Sequence, residues 1–285
     1  MNIRSHRPYR SVASLLAMAA AMAAAASGAQ ADHGMAAMGA VAKKSAIQSA
    51  YLGAINVPPQ LLANVTGCPQ WAGDDGMPLV MSAPIKEASV RPEYFRVISR
   101  AGVKSTPNCA TLRPATEAGE LHTILLAGPI ADPADLPAYV LFVGPVEDVK
   151  GEVLTGEVSP PVTIGVQSGP SLVHAFVLNR PGGPAGSSRR VIQMVWQGGV
   201  TGPNGVEVGS NQLSAIRVID CDGNAHMPIA FDDLGDGDNY LELYVPNGIV
   251  VDRVEVAAGY FFDPMNRPNP ATAAQVKRGG CKRDA

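Results

Sequence analysis

Leu172-Val-His-Ala-Phe-Val-Leu178 and Val191-Ile-Gln-Met-Val-Trp196, separated by the turn formers Pro181-Gly-Gly-Pro184, decide the class of fold. Each run is short and rich in β-branched and aromatic residues. Neither carries a 3.6-residue period, so each reads as a strand. The same pattern extends in both directions. Upstream lie Pro78–Ser82, Tyr94–Ser99, Cys109–Leu112, Leu121–Leu126, Tyr139–Val143 and Val162–Val166; downstream lie Ala215–Ile219, Tyr240–Val245 and Ile249–Val256. Asp222-Gly223 and Pro246-Asn-Gly248 punctuate the later strands. The 30 glycines and 24 prolines supply turns, while a hydrophobic share of 46% supplies a core. Short strands at this spacing predict an all-β protein of antiparallel β-sandwich type.

The chain of 285 residues has room for one large sandwich or two ordinary ones. Phe95-Arg-Val-Ile98 leads to Gly102, and Ile216-Arg-Val-Ile219 leads to Gly223. Two related sandwich domains in tandem account for this echo, with a single larger sandwich as the rival. The expected division is 1–31, an export signal; 32–66, a flexible leader with a short helix over 60–65; 67–157 and 158–271, the two sandwiches; and 272–285, a basic tail.

The export reading rests on Arg4, Arg7 and Arg10, the apolar run from Leu15 to Ala26, and Ala29-Gln30-Ala31. A basic start, a short apolar stretch and a small-x-small step form a cleavable signal, so the mature chain is expected to begin at Asp32. No later stretch is apolar for long enough to cross a bilayer. This places the protein in the periplasm or outside the cell. Cys68, Cys109, Cys221 and Cys281 then meet an oxidising compartment, where an even count favours disulfides. Three pairings are possible. Cys68–Cys109 with Cys221–Cys281 is favoured, because each bridge then stays within one half. The formal charge of −3 excludes the basic field of a nucleic-acid binder.

Pro78-Leu-Val-Met-Ser-Ala-Pro-Ile-Lys-Glu-Ala-Ser-Val-Arg-Pro-Glu-Tyr-Phe-Arg-Val-Ile-Ser-Arg-Ala-Gly102 resembles the opening of bacterial Ig-like domains of the S-layer-protein type. The matching positions are Ser82, Pro84, Ile85, Ser89, Val90, Phe95, Val97 and Gly102. The cysteines are a departure from that pattern. The resemblance implies immunoglobulin-like sandwiches on an exported protein. It implies no catalysis and carries over no functional residue.

The familiar catalytic and phosphate-binding motifs are missing. Two groups of residues have metal-ligand chemistry. Asp232-Asp-Leu-Gly-Asp-Gly-Asp-Asn239 gathers the carboxylates of Asp232, Asp233, Asp236 and Asp238, with Glu242 as an additional ligand, and hard calcium ions take such oxygens. The spacing is not that of an EF-hand, and a solvated acidic turn explains it equally. His33, Met35 and Met38 carry imidazole and thioether groups suited to copper, against the plainer reading of an Ala/Met-rich tail. His122 and His174 fall inside strands and read as packed or solvent-facing side chains. Trp71 and Trp196 are core residues or platforms for a sugar ring. Asn64-Val-Thr66 has the glycosylation pattern and is expected to go unused in a bacterial protein. Together these readings point to a non-enzymatic binding or structural module whose partner is a protein or a cell-surface polymer. A metal-binding protein is the first alternative. An extracellular polymer-acting enzyme with a site assembled from separate strands is the second.

Overall fold

A computed structural model describes residues 46–54, 66–68, 75–117, 119–182, 189–233, 238–277 and 280–281. Residues 1–45, with the expected signal and His33, Met35 and Met38, lie outside the described residues, as do the expected helix over 60–65, Asn64, Trp71 and Asp236. The strands are β1 (Ile47–Leu52), β2 (Asp75–Met81), β3 (Phe95–Ser99), β4 (Lys104–Ser105), β5 (Cys109–Thr111), β6 (Thr123–Gly128), β7 (Pro137–Phe142) and β8 (Thr163–Ile164), followed by β9 (Leu172–Gly182), β10 (Arg189–Trp196), β11 (Ile216–Asp220), β12 (Ala225–His226), β13 (Ala230–Asp232), β14 (Tyr240–Val245), β15 (Val251–Val256) and β16 (Thr272–Lys277). The expected all-β, sandwich-like architecture is what the sheets form. β1 falls in the stretch read as leader, and β16 falls in the stretch read as tail. Both are weakly patterned. Ser49 and Gln275 interrupt them, and pairing with long neighbours fixes their extended form.

A five-stranded sheet in the order β5-β6-β2-β1-β8 lies against a three-stranded sheet, β4-β3-β7. Their inward faces share one core: Leu52, Leu79, Met81 and Leu126 from the first sheet meet Phe95, Val97 and Phe142 from the second. The rings of Phe95 and Phe142 meet edge to face, with centroids 4.9 Å apart. The remaining strands form an eight-stranded sheet, β12-β11-β15-β16-β9-β10-β14-β13. It curls over itself, because Val218 and Val254 near one end share a core with Ile192, Met194 and Leu243 near the other.

The second half repeats the pairings of the first. Ile47↔Met81, Ser49↔Val80 and Ala50↔Leu79 join β1 to β2 with a register shift after the first pair. Leu172↔Trp196, His174↔Val195 and Ala175↔Met194 join β9 to β10 with the shift at the same step. Phe95↔Phe142 through Ser99↔Pro137 recurs as Ile216↔Val256 through Asp220↔Val251, again with matching irregularities before the last pair. The hairpin pairs Val97↔Ser105 and Val218↔His226 correspond, and both turns use a left-handed glycine, Gly102 at φ +83° and Gly223 at φ +86°. Cys109↔Ala127 corresponds to Ala230↔Tyr244. The parallel closures Tyr51↔Thr163 and Phe176↔Lys277 correspond as well.

The likeness reaches side chains. Arg96 Nη1 donates to the carbonyls of Glu93 (3.0 Å) and Phe95 (2.7 Å); Arg217 Nη1 donates to those of Ser214 and Ile216, both at 2.8 Å. Asp148 Oδ1 accepts from the amides of Lys150 and Glu152, as Asp263 Oδ1 does from Met265 and Arg267.

The disulfides are Cys68–Cys109 and Cys221–Cys281, with Cα atoms 5.8 and 5.6 Å apart. Each fastens a residue outside the sheets to a strand or turn within its own half. The loops they close span 41 and 60 residues, so loop-closure entropy assigns each about 4 kcal/mol. Replacing Cys221 and Cys281 together by serine is therefore expected to lower unfolding stability by up to about 4 kcal/mol in denaturant titrations. No change in midpoint would show that the bridge adds nothing.

Candidate functional site

β10 and β14 depart from simple alternation. Every residue from Val191 to Trp196 and from Tyr240 to Val245 is buried. Ile192, Met194 and Trp196, with Leu241, Leu243 and Val245, face the core of the second half. Period-two geometry sends Gln193, Val195, Tyr240 and Glu242 to the opposite face, and these too are buried. The first half covers them: Val80 and Ala115 pack with Phe176, Val195 and Tyr240.

This seam is polar at its centre. The Tyr240 hydroxyl accepts from the backbone N–H of His122 (3.0 Å) and lies 2.9 Å from Thr123 Oγ1. The Asn239 side-chain amide donates to Thr123 Oγ1 (2.9 Å) and to the Trp196 carbonyl (2.8 Å). His122 Nδ1 sits 3.1 Å from the Met81 carbonyl. A carbonyl only accepts, so that nitrogen carries the proton. The His122 ring meets Phe176 at 5.0 Å and His174 at 5.7 Å between centroids. Glu120 and Glu242 are buried as well. Burial drives the Tyr240 hydroxyl far above its ordinary value, so it stays protonated and neutral. Both amide atoms of Gln193 are buried, with no hydrogen-bond partner among the described residues.

A second contact flanks the seam. The Tyr51 hydroxyl donates to Asp263 Oδ2 (2.9 Å), and Arg267 Nε donates to the same oxygen (2.7 Å). Arg267 Nη2 also reaches the Gly53 carbonyl. Burial, with the Asp263 charge beside it, pushes the Tyr51 hydroxyl well up. Between the two contacts lies an apolar cavity of about 130 Å³, walled by Pro78, Leu112, Pro114, Leu125 and Pro264, with Asp238 and Asn239 at its polar side.

The residues expected to hold calcium do not converge among the described residues. Asp232 is exposed at the end of β13, Asp233 is half-buried, and Asp238 is buried with Oδ1 accepting from the Tyr240 amide at 2.6 Å. Glu242 faces the seam, where its carboxylate accepts from the Tyr244 hydroxyl at 3.2 Å. No group of three or more His, Cys, Asp or Glu side chains placed to share a metal ion occurs among the described residues. Trp196 is fully buried against Phe261, with centroids 4.8 Å apart, and presents no face to a sugar. His122 and His174 are buried and lie together. Sequence reading missed Thr123, Asn239 and Tyr240. The alternation in Tyr240-Leu-Glu-Leu-Tyr244 suggests a solvent face, and only the other half of the chain reveals that it is covered.

Away from the seam, Asp220 organises the turn between β11 and β12. Its carboxylate accepts from the amides of Asp222 and Asn224 and lies 2.7 Å from His226 Nε2. The bond to His226, with those from Asn224 and Asp222, lowers its pKa from 3.8 to about 2.

No family model matches the chain, and a comparison with curated proteins finds no match. Among solved structures, it is similar to the crystal structure of the S-layer protein rSbsC(31-844), at 13% identity and a TM-score of 0.27 over 81% of this chain. It is also similar to surface layer protein SbsC, domains 1–6, at 12% identity with the same TM-score and coverage. The chain spans about a quarter of the length of those structures. No helix among the described residues is long and apolar enough to cross a membrane.

Two outcomes follow from this geometry. Tyr240→Phe removes the acceptor that the His122 amide shares with the Glu120 carbonyl, and a partner for Thr123, so stability should fall by about 0.5–1.5 kcal/mol in urea unfolding. A change near zero would show the hydroxyl to be dispensable. Asp220 has a folded-state pKa below its unfolded value, so its contribution is complete above about pH 4 and is lost as pH falls towards 2. Asp220→Asn should therefore lose less stability than the native chain between pH 4 and 2. Parallel pH profiles for the two would discount the His226 contact.

Proposed function

We propose that the protein is an exported, non-enzymatic pair of immunoglobulin-like sandwiches that serves as a periplasmic or surface-associated binding or structural module. The single observation that carries this reading is the recurrence of one strand set. A β5-β6-β2-β1 ladder faces β4-β3-β7, and β13-β14-β10-β9 faces β12-β11-β15. A four-stranded sheet facing a three-stranded one supports an immunoglobulin-like reading, and in each half the last strand runs parallel to the first. The boundary expected at 157/158 falls instead after β8, which closes the first module against β1. Each module holds one disulfide, which supports folding in an oxidising compartment. The buried polar groups Thr123, Asn239 and Tyr240 hold strands and modules together. The partner is another protein or a cell-surface polymer, met through exposed faces.

Fractionation of cells expressing the full chain tests this reading. The product should leave the cytoplasm, begin at Asp32 by amino-terminal sequencing, and give Cys68–Cys109 and Cys221–Cys281 peptides on non-reduced mapping. Retention of Met1 with four free thiols would sink it.

A further inference from the structure

A symmetric dimer that packs one patch against its own copy places residues opposite themselves, and each contact returns with its partners exchanged. The two halves of this chain meet in that way. Thr123 pairs with Val80 on β2, and Tyr240 pairs with Val195 on β10, so Thr123 and Tyr240 are counterparts and so are the valines. The counterpart hydroxyls face each other at 2.9 Å, and the counterpart valines share one cluster. His122 and Asn239 precede them in their halves. His122 donates through its backbone to the Tyr240 hydroxyl, and Asn239 donates through its side chain to the Thr123 hydroxyl. Each of the two side chains also reaches the last residue of the neighbouring strand, Met81 for His122 and Trp196 for Asn239.

We infer that this face, built on β1-β2-β6 in one half and β9-β10-β14 in the other, is a self-recognition surface. The chain is a tethered dimer of one sandwich, and the face also fits the opposite half of a second copy of this chain. The inference rests on the tandem reading above. The tether is residues 165–171, and it is tightly seated. The Ser168 carbonyl lies 3.3 Å from the Tyr51 hydroxyl, and a Cβ on Gly169 would stand 2.1 Å from the Pro268 carbonyl. Closure within one chain is thus set by the tether, while recognition is set by the face. An exchanged dimer remakes every seam contact.

Deleting residues 167–169 from the otherwise complete chain tests this. The two halves of one molecule then cannot close on each other. Light scattering should report the mass of two chains, with far-UV circular dichroism and both disulfides as in the native protein. Val80→Asp added to the shortened chain should return the mass to one. Val80 packs in the seam and not in the core of its own sandwich, so this change spares the fold. A shortened chain with native dichroism that stays at one-chain mass over the whole concentration range overturns the inference. If the deletion itself abolishes the dichroism, Val80→Asp in the full-length chain decides. A larger radius of gyration by X-ray scattering with native dichroism supports the self-recognition face, and an unchanged radius overturns it. Loss of dichroism in that variant would show a single cooperative body, overturning the tandem reading and the inference with it.

Discussion

Among the described strands, β10 and β14 bury both faces over six consecutive residues, and most of the organisation follows from that. One set of side chains fills the core of the second half, and the other set must be covered from outside. Apolar area alone would be covered by any greasy surface. The hydroxyl of Tyr240 cannot be, because a buried polar group without a partner costs about 1–3 kcal/mol. His122 and Thr123 are the partners it finds, and both stand at the start of β6 in the other half. The hydrogen bonds therefore fix how one half lies on the other, while Val80, Val195 and Phe176 supply the buried area around them. Hydrophobic burial gives such a contact its strength, and the polar pairs give it a register.

The way each half closes also follows from strand order. β8 and β16 run parallel to β1 and β9, which brings the end of each half beside its beginning. In the second half β16 pairs with β15 and β9 in one run, so the two layers become one curled sheet. In the first half the corresponding chain divides its bonds. Val158 bridges to Leu141 on β7, and Thr163 pairs with Tyr51 on β1, which leaves two sheets. Pro160 and Pro161 lie between these points, and prolines lack the amide that an uninterrupted ladder needs. One strand set thus yields a split sandwich in one half and a continuous one in the other.

Strands with one wet face were readable from residues alone. Phe95–Ser99 and Val251–Val256 alternate as a half-buried strand should, and their burial follows the same beat. The seam was not readable. Glu242 between two leucines has the pattern of a solvent-facing charge, and His122 and His174 have no spacing that marks them as neighbours. Their burial depends on a surface contributed from more than a hundred residues away in sequence, as with the Thr123–Tyr240 contact at a separation of 117. The echo between Phe95–Ile98 and Ile216–Ile219 was the one sequence trace of the recurrence. It survives because Val97 and Val218 fill matching core positions and because Arg96 and Arg217 tie down matching carbonyls.

The recurrence separates what the fold requires from what it only permits. The core positions and turn glycines coincide between halves, whereas the disulfides do not. The pairing partner of Ala127 is Cys109, but the corresponding residue in the second half is Ala230, and Cys221 follows Asp220 where the first half has Arg100 after Ser99. The bridges are therefore additions to a sandwich that closes without a cysteine at those places. The outer faces differ in the same sense. Tyr139 and Leu141 on β7 stand where β15 has Arg253 and Glu255, the latter two paired at 2.7 Å. Both faces sit on the same backbone ladder, so neither chemistry is needed to form it. The ladder thus tolerates an apolar pair in one half and a charged pair in the other.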